Sequence, residues 1–317
     1  MKPNRTSVAA VVMLSSVAVA QAGTVFALDL RANPNRLITF PSNAPALNVG
    51  PNVTPDSFAM DFDATGTTLY IITPGTPAPY NVGTLNTTTG VVTPGPTITE
   101  ASGTLAGQTV TGLSYDPQTQ NFYMTANSAA AGNTIYTLNV QTGVATLGPT
   151  ITGLVAGGII IDIAISLEGQ MYGHEIAADQ LVKINKNDGV AQVLGSTGQL
   201  ANFAQGMDFD YDTNELYATV YTGGGTGVYA KFNLNTGLAE VIASTTAWNA
   251  EMEMAINSPV PSTPCPGDLN GDNVVDQSDL GILLAAFNVN GNGDLDGDGD
   301  TDQSDLGILL SHFGESC

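Results

Sequence analysis

The sequence predicts an all-β ring, a β-propeller of five blades closed by strands from both termini, followed by a small all-α domain. Three observations predict it. Residues 24–257 are rich in Thr, Gly, Asn, Val and Ile, with short alternating strands between turn residues and almost no helical periodicity. Three markers recur through that stretch in a fixed order. Beyond it, residues 267–284 (GDLNGDNVVDQSDLGILL) return as residues 293–310 (GDLDGDGDTDQSDLGILL), each copy an oxygen-rich loop running into an apolar helix.

The first marker is a strand ending in Asp, Asn or Ser: MDFD (Met60–Asp63), LSYD (Leu113–Asp116), IAIS (Ile163–Ser166), MDFD (Met207–Asp210) and MAIN (Met254–Asn257). The second is an apolar–Tyr pair: Leu69-Tyr70, Phe122-Tyr123, Met171-Tyr172 and Leu216-Tyr217. The third is strand, turn, strand, with Gly90, Gly143, Gly189 and Gly237 closing the turns as tight hairpins require. The N-terminus supplies a fifth third-marker, Val25–Phe40, without a first marker. The C-terminal end of the stretch supplies a fifth first-marker without a third. The two incomplete pieces complement each other, which a ring closed by both termini explains and a β-sandwich does not. The closing blade is expected to hold three or four strands. The repeat loosely resembles secreted propellers whose blades read LY-x-ID-x-TG, a resemblance that implies architecture and no activity. Residues 258–264 read as a short Pro-rich linker.

The duplicated phrase is where the sequence specifies chemistry. Loop positions 1, 3, 5, 7, 9 and 12 of an EF-hand-like loop supply oxygens to calcium. Those positions hold Asp268, Asn270, Asp272, Val274, Asp276 and Asp279 in one copy, and Asp294, Asp296, Asp298, Asp300, Asp302 and Asp305 in the other. Val274 suits position 7, which gives its backbone carbonyl. Gly299 and Asn273 suit position 6, which needs a positive φ. Two calcium ions are expected. After each loop, Leu280, Leu283, Leu284 and Phe287, and again Leu306, Leu309, Leu310 and Phe313, fall on one helical stripe, so the two stripes are expected to pack together.

Asp at position 12, the duplication and the absence of a full helix before each loop resemble a type I dockerin over Cys265–Cys317. That resemblance implies a cohesin-like protein partner, contacted through positions 10 and 11: Gln277 and Ser278 in one copy, Gln303 and Ser304 in the other. It also implies chain ends that lie close together. The cysteines, Cys265 and Cys317, bracket the module, and an internal disulfide is the favoured reading over free thiols or an intermolecular bridge.

Residues 1–22 have the form of a signal peptide: Lys2 and Arg5, then the apolar Val8–Ala20, then Ala20-Gln21-Ala22 for cleavage. The mature propeller then covers 23–257, and the product is expected outside the cell or in its envelope, with no membrane span. A net charge of −22 with seven basic residues disfavours nucleic acid as a partner.

Asp61, Asp162, Asp208, Glu251 and Glu253 stand on the innermost strands as the candidates for a glycosidase-like acid pair. Asp63, Asp116 and Asp210 instead end strands before turns, where Asp bonds its own backbone. The sequence favours a calcium-binding interaction protein whose propeller is a binding platform, for a glycan or protein ligand it does not identify. A carbohydrate-active hydrolase of O-glycosyl bonds is the alternative, and purely structural calcium loops are a third reading.

Overall fold

The computed structural model describes residues 22–74, 78–203, 205–244, 251–260, 266–270, 274–296 and 299–315. The expected signal sequence up to Gln21, residues 261–264 of the expected linker, Cys265, Cys317, Asp272, Asn273 and Asp298 lie outside them. The chain divides into two compact units, Met1–Val260 and Pro261–Cys317.

The first unit is a five-bladed β-propeller. Blade one contains β1 (Thr24–Asp29), β2 (Asn35–Pro41) and β3 (Asn48–Val53). Blade two contains β4 (Met60–Phe62), β5 (Leu69–Thr73), β6 (Asn81–Leu85) and β7 (Val92–Thr97). The two-residue β8 (Thr99–Glu100) adds to the outside of blade three, which contains β9 (Thr109–Asp116), β10 (Asn121–Ser128), β11 (Gly132–Leu138) and β12 (Val144–Thr150). Blade four contains β13 (Ile160–Ile165), β14 (Met171–Glu175), β15 (Gln180–Ile184) and β16 (Ala191–Ser196). Blade five contains β17 (Gly206–Asp210), β18 (Glu215–Gly223), β19 (Thr226–Phe232) and β20 (Ala239–Ser244). Finally β21 (Met252–Asn257) returns to blade one and pairs antiparallel with β1, from Thr24↔Asn257 to Asp29↔Met252. The closing blade therefore has four strands. Its outermost strand, β3, runs through a proline-bounded stretch that none of the three markers covers.

The five first-markers are the innermost strands, and β4, β9, β13, β17 and β21 neighbour one another in a closed ring. Each blade is covered on both faces by its neighbours, so inner strands lose the alternation of a half-exposed sheet: β5 and β13 are buried throughout. Five apolar clusters fill the five spaces between blades. The apolar–Tyr marker feeds them. Tyr70 meets the Phe122 ring edge-on at 5.2 Å, and Tyr217 stacks on Tyr229 at 5.7 Å.

The turn glycines do more than close hairpins. Gly143 has φ +73°, and a Cβ there would sit 2.5 Å from the Thr97 carbonyl oxygen of the preceding blade. The close approach lets Thr99 N–H donate to the Gly143 carbonyl at 2.9 Å, which stitches the outer edges of adjacent blades. The strand-ending acids bond backbone, as their position suggests. Asp63 accepts from Thr67 and Thr68 N–H, and Asp116 accepts from Gln118 N–H. Residues 258–260 of the expected linker are seated on the propeller. Ser258 accepts Tyr211 N–H at 2.8 Å, and Val260 N–H donates to the Ala64 carbonyl at 2.9 Å.

The second unit holds α1 (Gln277–Ala286) and α2 (Gln303–Ser311). Val275, Leu283 and Leu309 form its buried centre, with Leu269, Leu280, Phe287, Leu295 and Leu306 packed around them. The two loop–helix halves are exchanged by an approximate two-fold. Asn288 N–H donates to the Thr301 carbonyl, and Gly314 N–H to the Val275 carbonyl, both at 2.8 Å. Gly267 abuts Leu309, as Gly293 abuts Leu283. One expectation fails: the stripes are narrower than their spacing suggests. Leu284, Leu310 and Phe313 remain 55, 53 and 43 % exposed. A helix with a single partner buries about a quarter of its circumference, and Leu284 and Leu310 fall beyond that arc.

Candidate functional site

In the second loop the structure brings most of the expected ligands together. Carboxylate oxygens of Asp294, Asp296 and Asp305 lie within 4.8 Å of one another, and so do those of Asp300, Asp302 and Asp305. Asp305 belongs to both groups. These acidic clusters are close enough to hold a metal ion, and an all-oxygen donor set suits a hard cation. Position 7 is expected to offer a backbone carbonyl, and at Asp300 it is the side-chain carboxylate that joins the cluster. Gly299 takes φ +98°, as position 6 demands, and its N–H donates to Asp294 at 2.9 Å. In the first loop Asp268, Asn270, Val274, Asp276 and Asp279 are described, and among the described residues no three carboxylates of that loop group together.

The position-12 aspartates organise both loops. Asp305 accepts N–H bonds from Leu295 (2.6 Å), Asp296 (3.2 Å) and Asp302 (2.7 Å). Asp279 repeats the pattern with Leu269, Asn270 and Asp276. A shorter side chain than Glu thus ties the start of each loop to its end. The Asp302 N–H, then that of Leu295, lowers the Asp305 pKa against the effect of burial. Burial alone would raise that of Asp279, but its three amides together hold it low.

Asp276 and Asp302 have a role the ligand pattern did not reveal. Each is the N-cap of its helix, accepting from Ser278 or Ser304 N–H in a reciprocal capping box with Asp279 or Asp305. The D-x-x-D spacing was the available signal. Gln277, Ser278, Gln303 and Ser304 are exposed, on the same helices as the exposed Leu284 and Leu310.

The propeller acids have another purpose. Asp61 accepts Tyr115 N–H from the next blade at 2.6 Å, Ser114 accepts Ile165 N–H at 3.0 Å, and Asp208 accepts Ile256 N–H at 2.6 Å. Blades four and one carry Ala164 and Ala255 at the equivalent position. There the residue two positions earlier substitutes: Asp162 accepts Met207 N–H at 2.6 Å, and Glu253 accepts Met60 N–H at 3.3 Å. All five blade junctions are therefore bonded at the axis. The four acids are at most 5 % exposed. Burial raises Asp61 to about 7, with the Tyr115 and Phe62 amides working against it. Burial, then the neighbouring charge of Glu253, raises Asp162; burial, then Asp61, raises Asp208; burial also raises Glu253.

Of the five candidate acids, Glu251 alone lines the axial cavity, a space of about 240 Å³. Burial raises its pKa and the nearby Arg31 opposes the rise. His174 is buried against the edge of the Phe232 ring at 5.3 Å, and burial lowers its pKa to about 4, so it is neutral at ordinary pH.

No family model and no curated protein matches the sequence. Among solved structures, the chain is similar to a protein of unknown function from Bacteroides thetaiotaomicron, at 15% identity and TM-score 0.49, covering 76% of this chain and 64% of that one. It is also similar to TolB from Acinetobacter baumannii, at 12% identity and TM-score 0.43, covering 70% of this chain and 53% of TolB. A third is regucalcin, a calcium-binding protein from Agrobacterium tumefaciens, at 14% identity and TM-score 0.40, covering 70% of each chain. These likenesses concern the fold. No described helix is long and apolar enough to cross a membrane.

Proposed function

We propose that the C-terminal unit is a dockerin-like module that binds two calcium ions, one per loop, and docks the propeller to a protein partner outside the cell or in its envelope. The observation that carries the reading is the two-fold relation of the loop–helix halves. It presents Gln277, Ser278 and Leu284 on one half, and Gln303, Ser304 and Leu310 on the other, as two equivalent surfaces.

Calcium links to docking through the caps. Asp279 and Asp305 fix the loops and complete the capping boxes of the helices that carry the contact residues, so a cation held by the loops orders the docking face. The exposed leucines supply apolar anchors, and neither helix carries a Lys or Arg. The partner surface that fits is apolar with basic groups around it. A cohesin domain is the partner class the motif suggests. The propeller acids bond backbone amides at the blade junctions, which favours a binding platform over a glycosidase-like acid pair.

The test is binding of the full chain to a panel of cohesin domains by surface plasmon resonance, in calcium and in EDTA. The expected result is calcium-dependent binding that survives Ser278→Asp or Ser304→Asp alone and is lost in the double variant. Equal binding in EDTA, or loss from either single variant, contradicts docking through two equivalent faces.

A further inference from the structure

The axial cavity opens where the innermost strands begin, and every blade contributes to its wall: Phe58, Val110, Ile161, Gln205 and Glu251 come from five different blades. Most of the exposed wall is apolar. Phe203, at the cavity, is 59 % exposed, a large aromatic surface left in water. Among the described lining residues Glu251 is the single ionisable group. The nearby Arg31 is committed elsewhere: its Nη1 donates to the Tyr221 hydroxyl at 2.6 Å, and its guanidinium lies 5.7 Å from the centre of that ring.

We propose that this cavity is a small-molecule site for a ligand with one apolar ring and a hydrogen-bond donor, the ring lying against Phe58, Val110 and Ile161 and the donor meeting the Glu251 carboxylate. The inference rests on the propeller being a binding platform and is independent of calcium. The volume limits the occupant to about one ring with a short substituent. The chemistry of the wall selects among such molecules. An anion would meet Glu251 with no uncommitted cation among the described lining residues, in a chain of net charge −22. An amine or hydroxyl instead gives the Glu251 carboxylate a hydrogen-bond donor. The ring releases water from the Ile161 and Phe203 surfaces. The stitching acids stay out of this exchange, because Asp61, Asp162, Asp208 and Glu253 are turned to backbone amides.

The experiment is methyl NMR of the full chain with labelled isoleucine, titrated with benzylamine, benzyl alcohol and benzoate up to about 20 mM, the range in which so small a ligand binds. Ile159 and Ile161 line the cavity, and Ile282 and Ile308 of the helical unit serve as internal controls. Benzylamine and benzyl alcohol are expected to shift Ile159 and Ile161 with saturation, and benzoate to bind at least about fivefold more weakly. Glu251→Gln should bring benzylamine and benzoate within about twofold of each other while benzyl alcohol still binds. Thr109→Trp, which fills the cavity from its rim, should abolish the Ile159 and Ile161 shifts; circular dichroism of the strands checks that it folds. Shifts absent with both donors, benzoate binding as well as benzylamine, or shifts that persist in Thr109→Trp would each overturn the proposal. Calcium added to the same sample moves Ile282 and Ile308 if the docking reading holds, so failure of one reading is seen apart from failure of the other.

Discussion

Asp61 and Tyr115 are 54 residues apart, and the Asp61 carboxylate accepts the Tyr115 backbone N–H at 2.6 Å across the boundary between two blades. The bond is one of five that close the axial ring. Its counterpart in the next blade uses a serine, Ser114, in place of the acid. Where alanine stands there, as at Ala164, the acid moves back to Asp162. The junction needs a side-chain oxygen at the amide, and a charge is optional.

Asp61→Ala should therefore cost about 2–3 kcal/mol, because it orphans buried N–H groups at Tyr115 and Phe62. Asp61→Ser should cost less, about 1–2 kcal/mol, since serine serves at the equivalent position of β9. Urea denaturation of both variants at pH 7 checks the order; equal losses would deny the bridging role.

The same acids set a pH dependence. Asp61 is raised to about 7 in the fold, and Asp162, Asp208 and Glu253 are raised as well. The folded state then holds more protons than the unfolded chain, whose aspartates titrate near about 3.9. Stability linked to these groups is fully present below that pH and is lost as pH rises through the folded values, up to about 7 for Asp61. The urea midpoint of the propeller should fall between pH 5 and pH 8. The fall should persist in about 0.5 M salt, which screens surface repulsion and leaves the buried acids unaffected. A midpoint that rises with pH contradicts the account.

Gly143 and Gly107 both have positive φ, +73° and +83°, and differ in what surrounds them. A Cβ on Gly143 meets the Thr97 carbonyl at 2.5 Å, whereas one on Gly107 meets nothing within 4 Å. Gly107→Ala should cost about 1 kcal/mol from backbone strain alone. Gly143→Ala should cost about 3 kcal/mol or more, because the blade edges must also separate. Thermal unfolding of the two variants compares them directly.

The blade count and ring closure were legible because repetition makes them visible: Met60–Asp63 and Met254–Asn257 are the same strand written on different blades. The acidic loops, written twice, were legible for the same reason. The axial bonds were not. Asp162 lies one residue before the marker and Asp61 within it, so alignment of the repeat separates two residues that the ring uses alike. Pattern alone also placed Leu284 and Leu310 in the core, because spacing shows which residues share a helix face and not how wide a face one partner helix can cover. The cavity wall, with Phe58, Ile159 and Phe203 far apart in sequence, follows no period at all.

The central claim is that the two loops are paired calcium sites, each governed by its position-12 aspartate. Calorimetric titration of the full chain with calcium tests it most directly, alongside Asp279→Ala and Asp305→Ala. The account predicts two ions bound by the native chain, one by each variant, and none by the double variant. A native chain that binds no calcium, or a stoichiometry that neither substitution changes, would contradict it.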